Sequence, residues 1–479
     1  MLKKFILNNW LILLILLVAS FLRLFRISEY MEFLGDQGRD VVIVRDFLKN
    51  RNLFFIGPQT SIGNMNLGPF YYYLIAPALL LANYNPVGPA IFIALLSVAT
   101  TYLIYFVSKK WFNSTTAYLS AFLYAISPVA IKFANFSWNP NIMPFFALLF
   151  VYFMVEKKYI YASLAFIMCL NSHYLALILL PLAGVIWLKN YQPKLIKPSI
   201  LAITIFLLSL VPQVLFDIKH NGQNIKALST FFVKRETTVN LKVYKSLPVI
   251  PELFNQINTS LLAGKNVNFG IVISIVFFLG LLYLYFKHRN QNYLYCLLWY
   301  FFGLIGLGLY KQHIYDHYFG FLFPVLFILM GYLLSKIPRL FSLPLFILLT
   351  VFSLLQNPFR WNPPHQLQTT KIIISKIKDL SHNEDFNFSL LAKQNHDPGY
   401  LYFIYENKLP YFHLNQKITS QLFVVCEPHP DINCNPINNP EWGIAAFGWA
   451  KIDQELEIDG IKIFRLVPNP DGRPLSYLP

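Results

Sequence analysis

Residues 67–82, Leu-Gly-Pro-Phe-Tyr-Tyr-Tyr-Leu-Ile-Ala-Pro-Ala-Leu-Leu-Leu-Ala, are apolar enough to suggest a membrane span, and whether they are one decides the topology of all that follows. Counting them as a span turns Lys109-Lys110 outward and inverts every later loop. Leaving them as an interfacial or re-entrant helix keeps the basic loops on one side, and the three tyrosines suit the headgroup level. The second reading is adopted.

The surrounding composition demands a membrane. Of 479 residues 56% are hydrophobic and only 13% charged, so the excess of apolar surface faces lipid. A helix crosses the hydrocarbon core with about 20 mainly apolar residues and satisfies its own backbone, so charge-free runs read directly as spans. About eleven are expected, near 5–25, 87–107, 115–134, 141–155, 159–172, 174–188, 198–216, 269–286, 293–310, 318–334 and 340–356. The first is too long for a signal-peptide core and no small-residue cleavage site follows it, so it reads as uncleaved.

Formal net charge is +16, which in a soluble chain would raise nucleic acid as a partner. Here the basic residues punctuate the apolar runs instead, and no nucleic acid is expected. Lys3-Lys4, Lys109-Lys110, Lys157-Lys158, Lys189 with Lys194 and Lys197, Lys287 with Arg289, and Lys336 with Arg339 all fall on one side. By the positive-inside rule that side is cytoplasmic. The expected protein is a multi-pass cell-membrane protein with a cytoplasmic N-terminus. Outside lie the loops 26–86 and 217–268 and the C-terminal segment 357–479.

The expected fold class is therefore an all-α polytopic membrane domain over 1–356, followed by a small α/β soluble domain over 357–479. After Asn357 the composition shifts to Pro, Asn and Asp with short β-rich runs at 386–392, 421–426 and 461–467 and a helix near 400–406. Upstream, 40–49 has near-helical apolar spacing and is expected to lie along the membrane surface. Cys169 and Cys296 sit in apolar runs. Cys426 and Cys434, with seven residues between them in the external domain, are expected to form a disulfide.

The densest polar cluster near the membrane is Gly35-Asp36-Gln37-Gly38-Arg39-Asp40, just beyond the first span. In a helix Asp36 and Arg39 share a face, so one can act as a general base and the other as a fork for phosphate. Spacing alone favours the blander alternative, a helix cap with a surface salt bridge. Weaker candidates at the outer edge are Asn139, as a sugar hydrogen-bonder within Trp138-Asn139-Pro140, and His173 between two short spans. Asp217, Lys219 and His220 read as ordinary interfacial charge. The loop 310–318 supplies Lys311 and His317 as cationic or potentially cationic groups.

One span, an outer loop with an early aspartate, two interfacial helices, a Pro-aromatic-Tyr stretch, short alternating spans and an outer C-terminal domain: this layout resembles the glycosyltransferase-C superfamily. The likeness is to the polyprenyl-phosphate-sugar-dependent enzymes related to protein O-mannosyltransferases and to the aminoarabinose transferases of lipid A, and it covers roughly residues 1–340. The resemblance implies Asp36 as catalytic base and Arg39 as a contact of the donor phosphate, with Gln37 where the family often has an acid. Asp40 joins them as a substrate-binding residue. A second family motif, His or Lys then Pro-Pro-Leu-Tyr, reads here Leu67-Gly68-Pro69-Phe70-Tyr71, in which Pro69 and Tyr71 match and the His or Lys is missing. No metal ligand is assigned and no cofactor is expected to be required, a divalent ion being left open. Lys311 and His317 become further phosphate ligands.

The implied activity is transfer of a sugar from a polyprenyl-phosphate donor to a lipid, glycan or protein acceptor, with inversion. No nucleotide-binding glycine loop is present, in keeping with such a donor. The competing readings are a lipid-linked sugar flippase or transporter, and an oligosaccharide ligase or polymerase of similar architecture. The spans show little of the internal repeat or midplane polarity usual in transporters.

Overall fold

The structure is a computed structural model describing residues 2–234, 238–240, 242–288 and 290–469. Arg289, one of the residues used for orientation, and the chain end at Pro479 lie outside that set.

Helices lie at each of the eleven apolar positions. Those at Val87–Trp111, Pro193–Lys219, Val267–Lys287 and Asp316–Lys336 are long and apolar enough to cross a membrane. Shorter apolar helices occupy Asn9–Leu24, Asn139–Val155, Tyr159–Ser172, Tyr174–Lys189 and Arg339–Leu355. Asparagine starts three of the helices: the side chains of Asn113, Asn266 and Asn290 accept backbone N–H groups of the first turn at Thr116, Phe269 and Asn292 with Tyr293. Such a cap satisfies donors that a helix start leaves open. The expected span 115–134 is broken, since Ser114–Ile126 ends before Ser127 and a short helix resumes at Pro128. The proline pushes Ser127 out of the helical region, to φ −62°, ψ 121°.

Phe70–Leu81 is a separate 12-residue helix. Two of its three tyrosines are buried, Tyr71 and Tyr72, and only Tyr73 is partly open, with its hydroxyl on the backbone of Phe54. Protein, more than headgroups, therefore surrounds these rings. The centre of the helical core is Phe323–Lys336, where every residue from Phe323 to Leu334 is buried.

Two compact units divide the chain: residues 1–27 with 51–362, and residues 28–50 with 363–479. The composition shift at 357 lies close to the second boundary. The inclusion of 28–50 in the C-terminal unit departs from the sequence-based division, which left that segment in the membrane domain. Its physical cause is the helix Gly35–Asn50, which packs backbone against backbone on Pro398–Glu406: a Cβ at Gly38 would lie 2.3 Å from the nitrogen of Gly399.

The C-terminal unit holds a four-stranded sheet ordered β1-β2-β4-β3, from β1 (Asn387–Leu391), β2 (Leu422–Cys426), β3 (Ala450–Ile458) and β4 (Ile461–Pro468). β1 and β2 are parallel, joined by a crossover carrying Pro398–Glu406, and β4 runs antiparallel to both β2 and β3. β1 and β2 are buried along their whole length, as their continuous apolar runs require, whereas β3 is an exposed, charged edge. Cys426 and Cys434 form the expected disulfide, with Cα atoms 5.6 Å apart.

Candidate active site

The candidate residues fall into two groups, one in each unit. In the C-terminal unit, Asp36, Arg39 and Asp40 occupy the first turns of Gly35–Asn50. Helical spacing does bring acid and base together: Arg39 Nη1 donates to Asp36 Oδ1 at 2.8 Å, while Nε and Nη2 both donate to Asp40 Oδ1 at 3.0 and 2.8 Å. Side-chain exposure grades the three, 43% for Asp36, 24% for Arg39 and 1% for Asp40. The buried aspartate thus holds the guanidinium from below and the open one meets its outer edge. Gln37 is buried and its side-chain oxygen accepts the N–H of Leu34, so the position where the family often carries an acid is here a brace for the helix start.

Beneath this turn lies the loop leading into Pro398–Glu406. A Cβ at Gly35 would meet His396 Cβ at 2.6 Å, so the pair Gly35 and Gly38 lets the helix seat directly on that loop. The loop is itself fixed, because Glu427 Oε1 accepts both the Asn395 amide and the Tyr400 hydroxyl. Asp397, between them, has its carboxyl pushed up to about 6 by burial, with the charge of Glu441 adding to the effect.

The other unit gathers Tyr71, Asn139, His173 and His317. The Tyr71 hydroxyl bonds Ser137 Oγ at 2.9 Å, next to Trp138, whose ring lies 4.5 Å from that of His317. His173 and His317 rings are 6.4 Å apart and both contact Tyr318. Asn139 is buried, donating to the Ser172 carbonyl at 2.7 Å while Ser172 Oγ donates back to the Asn139 carbonyl at 2.9 Å. That exchange ties two loops together and gives Asn139 a bracing place in the fold. Lys311 is exposed on the loop 310–318, its backbone N–H donating to the Thr238 carbonyl.

Two residues absent from the sequence reading hold this unit together, and the first of them seats Tyr71. Asn171 Oδ1 accepts the Phe70 N–H at 3.1 Å and lies where a Cβ on Gly68 would stand, so it seats the Gly68-Pro69-Phe70-Tyr71 stretch. Arg23, within the first apolar run, is fully buried and donates to Ser97 Oγ and to the carbonyls of Ala125 and Tyr124, with its guanidinium 5.4 Å from the Tyr124 ring. An arginine inside an apolar run was the available signal. Among the described residues no group of three or more His, Cys, Asp or Glu side chains is arranged to hold a metal.

A core of long apolar helices, a helix bearing an Asp-Arg-Asp cluster and a small four-stranded sheet are the parts that resemble the glycosyltransferase-C layout. Its sequence matches the family model for dolichyl-phosphate-mannose-protein mannosyltransferase over residues 66–216, about a third of the chain, which contains Tyr71, Asn139 and His173 and stops short of Asp36. The fold is similar to the crystal structure of ArnT from Cupriavidus metallidurans bound to undecaprenyl phosphate, with TM-score 0.63, 12% identity, and 98% of this chain and 99% of that one covered. The apo state of that protein matches equally, with TM-score 0.63 and 12% identity over 96% of this chain and 98% of the other. No curated protein matches by sequence. The resemblance to glycosyltransferase-C membrane enzymes thus holds in sequence over residues 66–216 and in fold over nearly the whole chain.

Proposed function

We propose that this chain is a multi-pass glycosyltransferase of the cell membrane, with about eleven spans over 1–356, a cytoplasmic N-terminus and an external domain over 357–479. It moves a sugar from a polyprenyl-phosphate donor to an acceptor on the outer face. The observation that carries this reading is the Asp36-Arg39-Asp40 arrangement: a half-open carboxylate beside a guanidinium that a buried carboxylate orients. A likeness to a protein bound to undecaprenyl phosphate, and a family model named for a dolichyl-phosphate sugar, support a lipid-linked donor.

In the proposed reaction Asp36 takes the proton of an acceptor hydroxyl or amine. The acceptor atom bonds to the anomeric carbon as the bond from that carbon to the phosphate oxygen breaks, and the polyprenyl phosphate leaves with its electron pair. One displacement inverts the anomeric centre. Arg39 exchanges its bond to Asp36 for the donor phosphate, which both frees the base and stabilises charge on the leaving group. Asp40 keeps the guanidinium in place. Lys311 brings a second positive charge to the phosphate, and His317, packed among Trp138 and Tyr318, brings an N–H donor. Tyr71 and His173 are the further substrate-binding residues of this reading, with Asn139 bracing the loop before His173.

Asp36→Asn tests the assignment, since the amide keeps the shape and loses the base. Transfer measured by mass spectrometry with a defined lipid-linked sugar should fall by about 10²–10⁴-fold, with folding and donor binding retained. Near wild-type transfer would remove Asp36 from the chemistry and make the lipid-linked-sugar transporter the better reading.

A further inference from the structure

The segment that joins β2 to β3 encloses an open groove of about 620 Å³ in the C-terminal unit, with residues 436–439 on one wall and 444–450 on the other. The first wall is anchored, because the Cys426–Cys434 disulfide ties it to the buried strand β2. Asparagine side chains set its course. Asn435 Oδ1 accepts the Ile437 N–H at 3.0 Å, Asn439 Nδ2 donates to the Asn435 carbonyl at 2.9 Å, and Asn439 Oδ1 accepts the Glu441 N–H at 3.0 Å. In the second wall Gly448, at φ +97°, turns the chain from the helix Trp442–Ala445 into β3. The Trp449 carbonyl accepts the Asn469 N–H at 2.9 Å, which fixes the backbone carrying the indole. Walls held in this way do not have to be ordered when a ligand enters.

Trp449 is 56% exposed in this groove, although tryptophan is highly buried on average. On the other wall the Asn438 side chain is exposed and makes no hydrogen bond among the described residues. None of the residues lining the groove carries a charge. An indole presents a flat apolar face with a negative quadrupole, which attracts the weakly positive C–H groups of a ring laid upon it. An amide presents both donors and an acceptor, which suits hydroxyl groups at the rim of such a ring. A ring with a C–H face, a rim of hydroxyls and no charge is a neutral sugar. A charged ligand would find no counter-ion in the lining. The volume falls within the roughly 300–1,000 Å³ usual for small-ligand sites.

We propose that the groove beside Trp449 binds a neutral saccharide, with one sugar ring stacked on the indole and its hydroxyls on the Asn438 amide. This site binds and performs no chemistry. It shares no residue with the Asp36-Arg39-Asp40 cluster, and it stands whether or not the transferase reading does.

Titration calorimetry of mannotriose, maltotriose, cellotriose and chitotriose on the full-length protein, held in a detergent without a sugar headgroup, tests the proposal. At least one should bind with millimolar or tighter affinity. Trp449→Ala should weaken that binding at least about 10-fold and Asn438→Ala about 3-fold, with the melting temperature unchanged. Trp442, 52% exposed and packed against His413 outside the groove, supplies the control, and Trp442→Ala should bind as wild type does. Binding of none of the four, equal losses in the two tryptophan variants, or tighter binding of trigalacturonic acid or of a decaproline peptide would each overturn it. Asp36→Asn should retain the binding. Loss of transfer with saccharide binding kept would therefore bear on the transferase alone, and transfer without saccharide binding on the groove alone.

Discussion

Arg23 and Arg39 stand close in sequence and have opposite surroundings. Arg23 is sealed among helices, and its donors go to Ser97 Oγ and to the backbone carbonyls of Tyr124 and Ala125 at the end of Ser114–Ile126, with no carboxylate of the described residues among its contacts. Those carbonyls belong to a last turn that no further helical residue can satisfy, because Pro128 interrupts the chain. Arg39 is partly open and bound by two carboxylates, one buried and one exposed. The first guanidinium completes a helix end and locks the first apolar helix against two others. The second is held by an ion pair whose outer member can be exchanged for a ligand. A buried charge spent on backbone dipoles is architecture, and a charge in a half-open pair is available for chemistry.

The sharpest way to break this contrast is to remove Arg39. Arg39→Ala should lower transfer by about 10²–10³-fold and weaken donor binding, because the group is proposed to stabilise a leaving phosphate. It also takes a charge partner from buried Asp40, so a melt is run beside the assay to separate lost turnover from lost fold. Arg39→Lys should rescue poorly, since a point charge cannot serve phosphate and Asp40 together. Full activity of the lysine variant would reduce Arg39 to a generic charge. Arg23→Leu should act the other way round. It takes the guanidinium from the Ala125 carbonyl and leaves the Tyr124 carbonyl with the Ser127 N–H alone, a loss of about 1–3 kcal/mol that a thermal or denaturant melt would detect. Its surviving folded fraction should turn over at the normal rate. A stable but inactive Arg23→Leu protein would place that arginine in the chemistry and dissolve the distinction.

Sequence reached some of these features and missed others for identifiable reasons. Hydropathy located the helices because lipid exposure imposes long apolar runs, and β1, β2 and β4 were readable because they too are apolar. β3 was not, for an exposed, charged edge strand such as Ala450–Ile458 has no buried apolar run to read. The break at Ser127 was hidden by uninterrupted hydropathy, although Pro128 signalled it. Within the candidate site, the Asp36 and Arg39 pairing followed from helical spacing alone. That Asp40 lies beneath Arg39, or that Asn139 spends its amide on Ser172, depends on burial and on partners far away in the chain. The grouping of 28–50 with the C-terminal unit is of the same kind: it depends on Gly38 meeting Gly399, a contact between two small residues with no signature in either local sequence.

The smallest expected effect concerns the seat of the Arg39 helix, and it separates the two arginines by pH. Arg23 is held by carbonyls, which do not titrate. The loop under Gly35 and Gly38 contains Asp397, whose carboxyl is raised from 3.8 to about 6 by burial and by Glu441, with His396 and His413 opposing the shift. The folded state therefore binds this proton more tightly than the unfolded chain. Its stabilising contribution is complete below about pH 4 and is lost as pH rises through 6, since stability falls with pH wherever the native state holds more protons than the unfolded chain. Asp397→Asn removes the titration while keeping the shape. Melting temperatures of wild type and variant, compared from pH 4 to pH 7, should show the variant gaining roughly a few degrees relative to wild type towards the upper end and the fall between pH 4 and 6 becoming shallower. Parallel curves would mean that Asp397 does not titrate in this window, and that the support beneath Arg39 is as indifferent to pH as the one around Arg23.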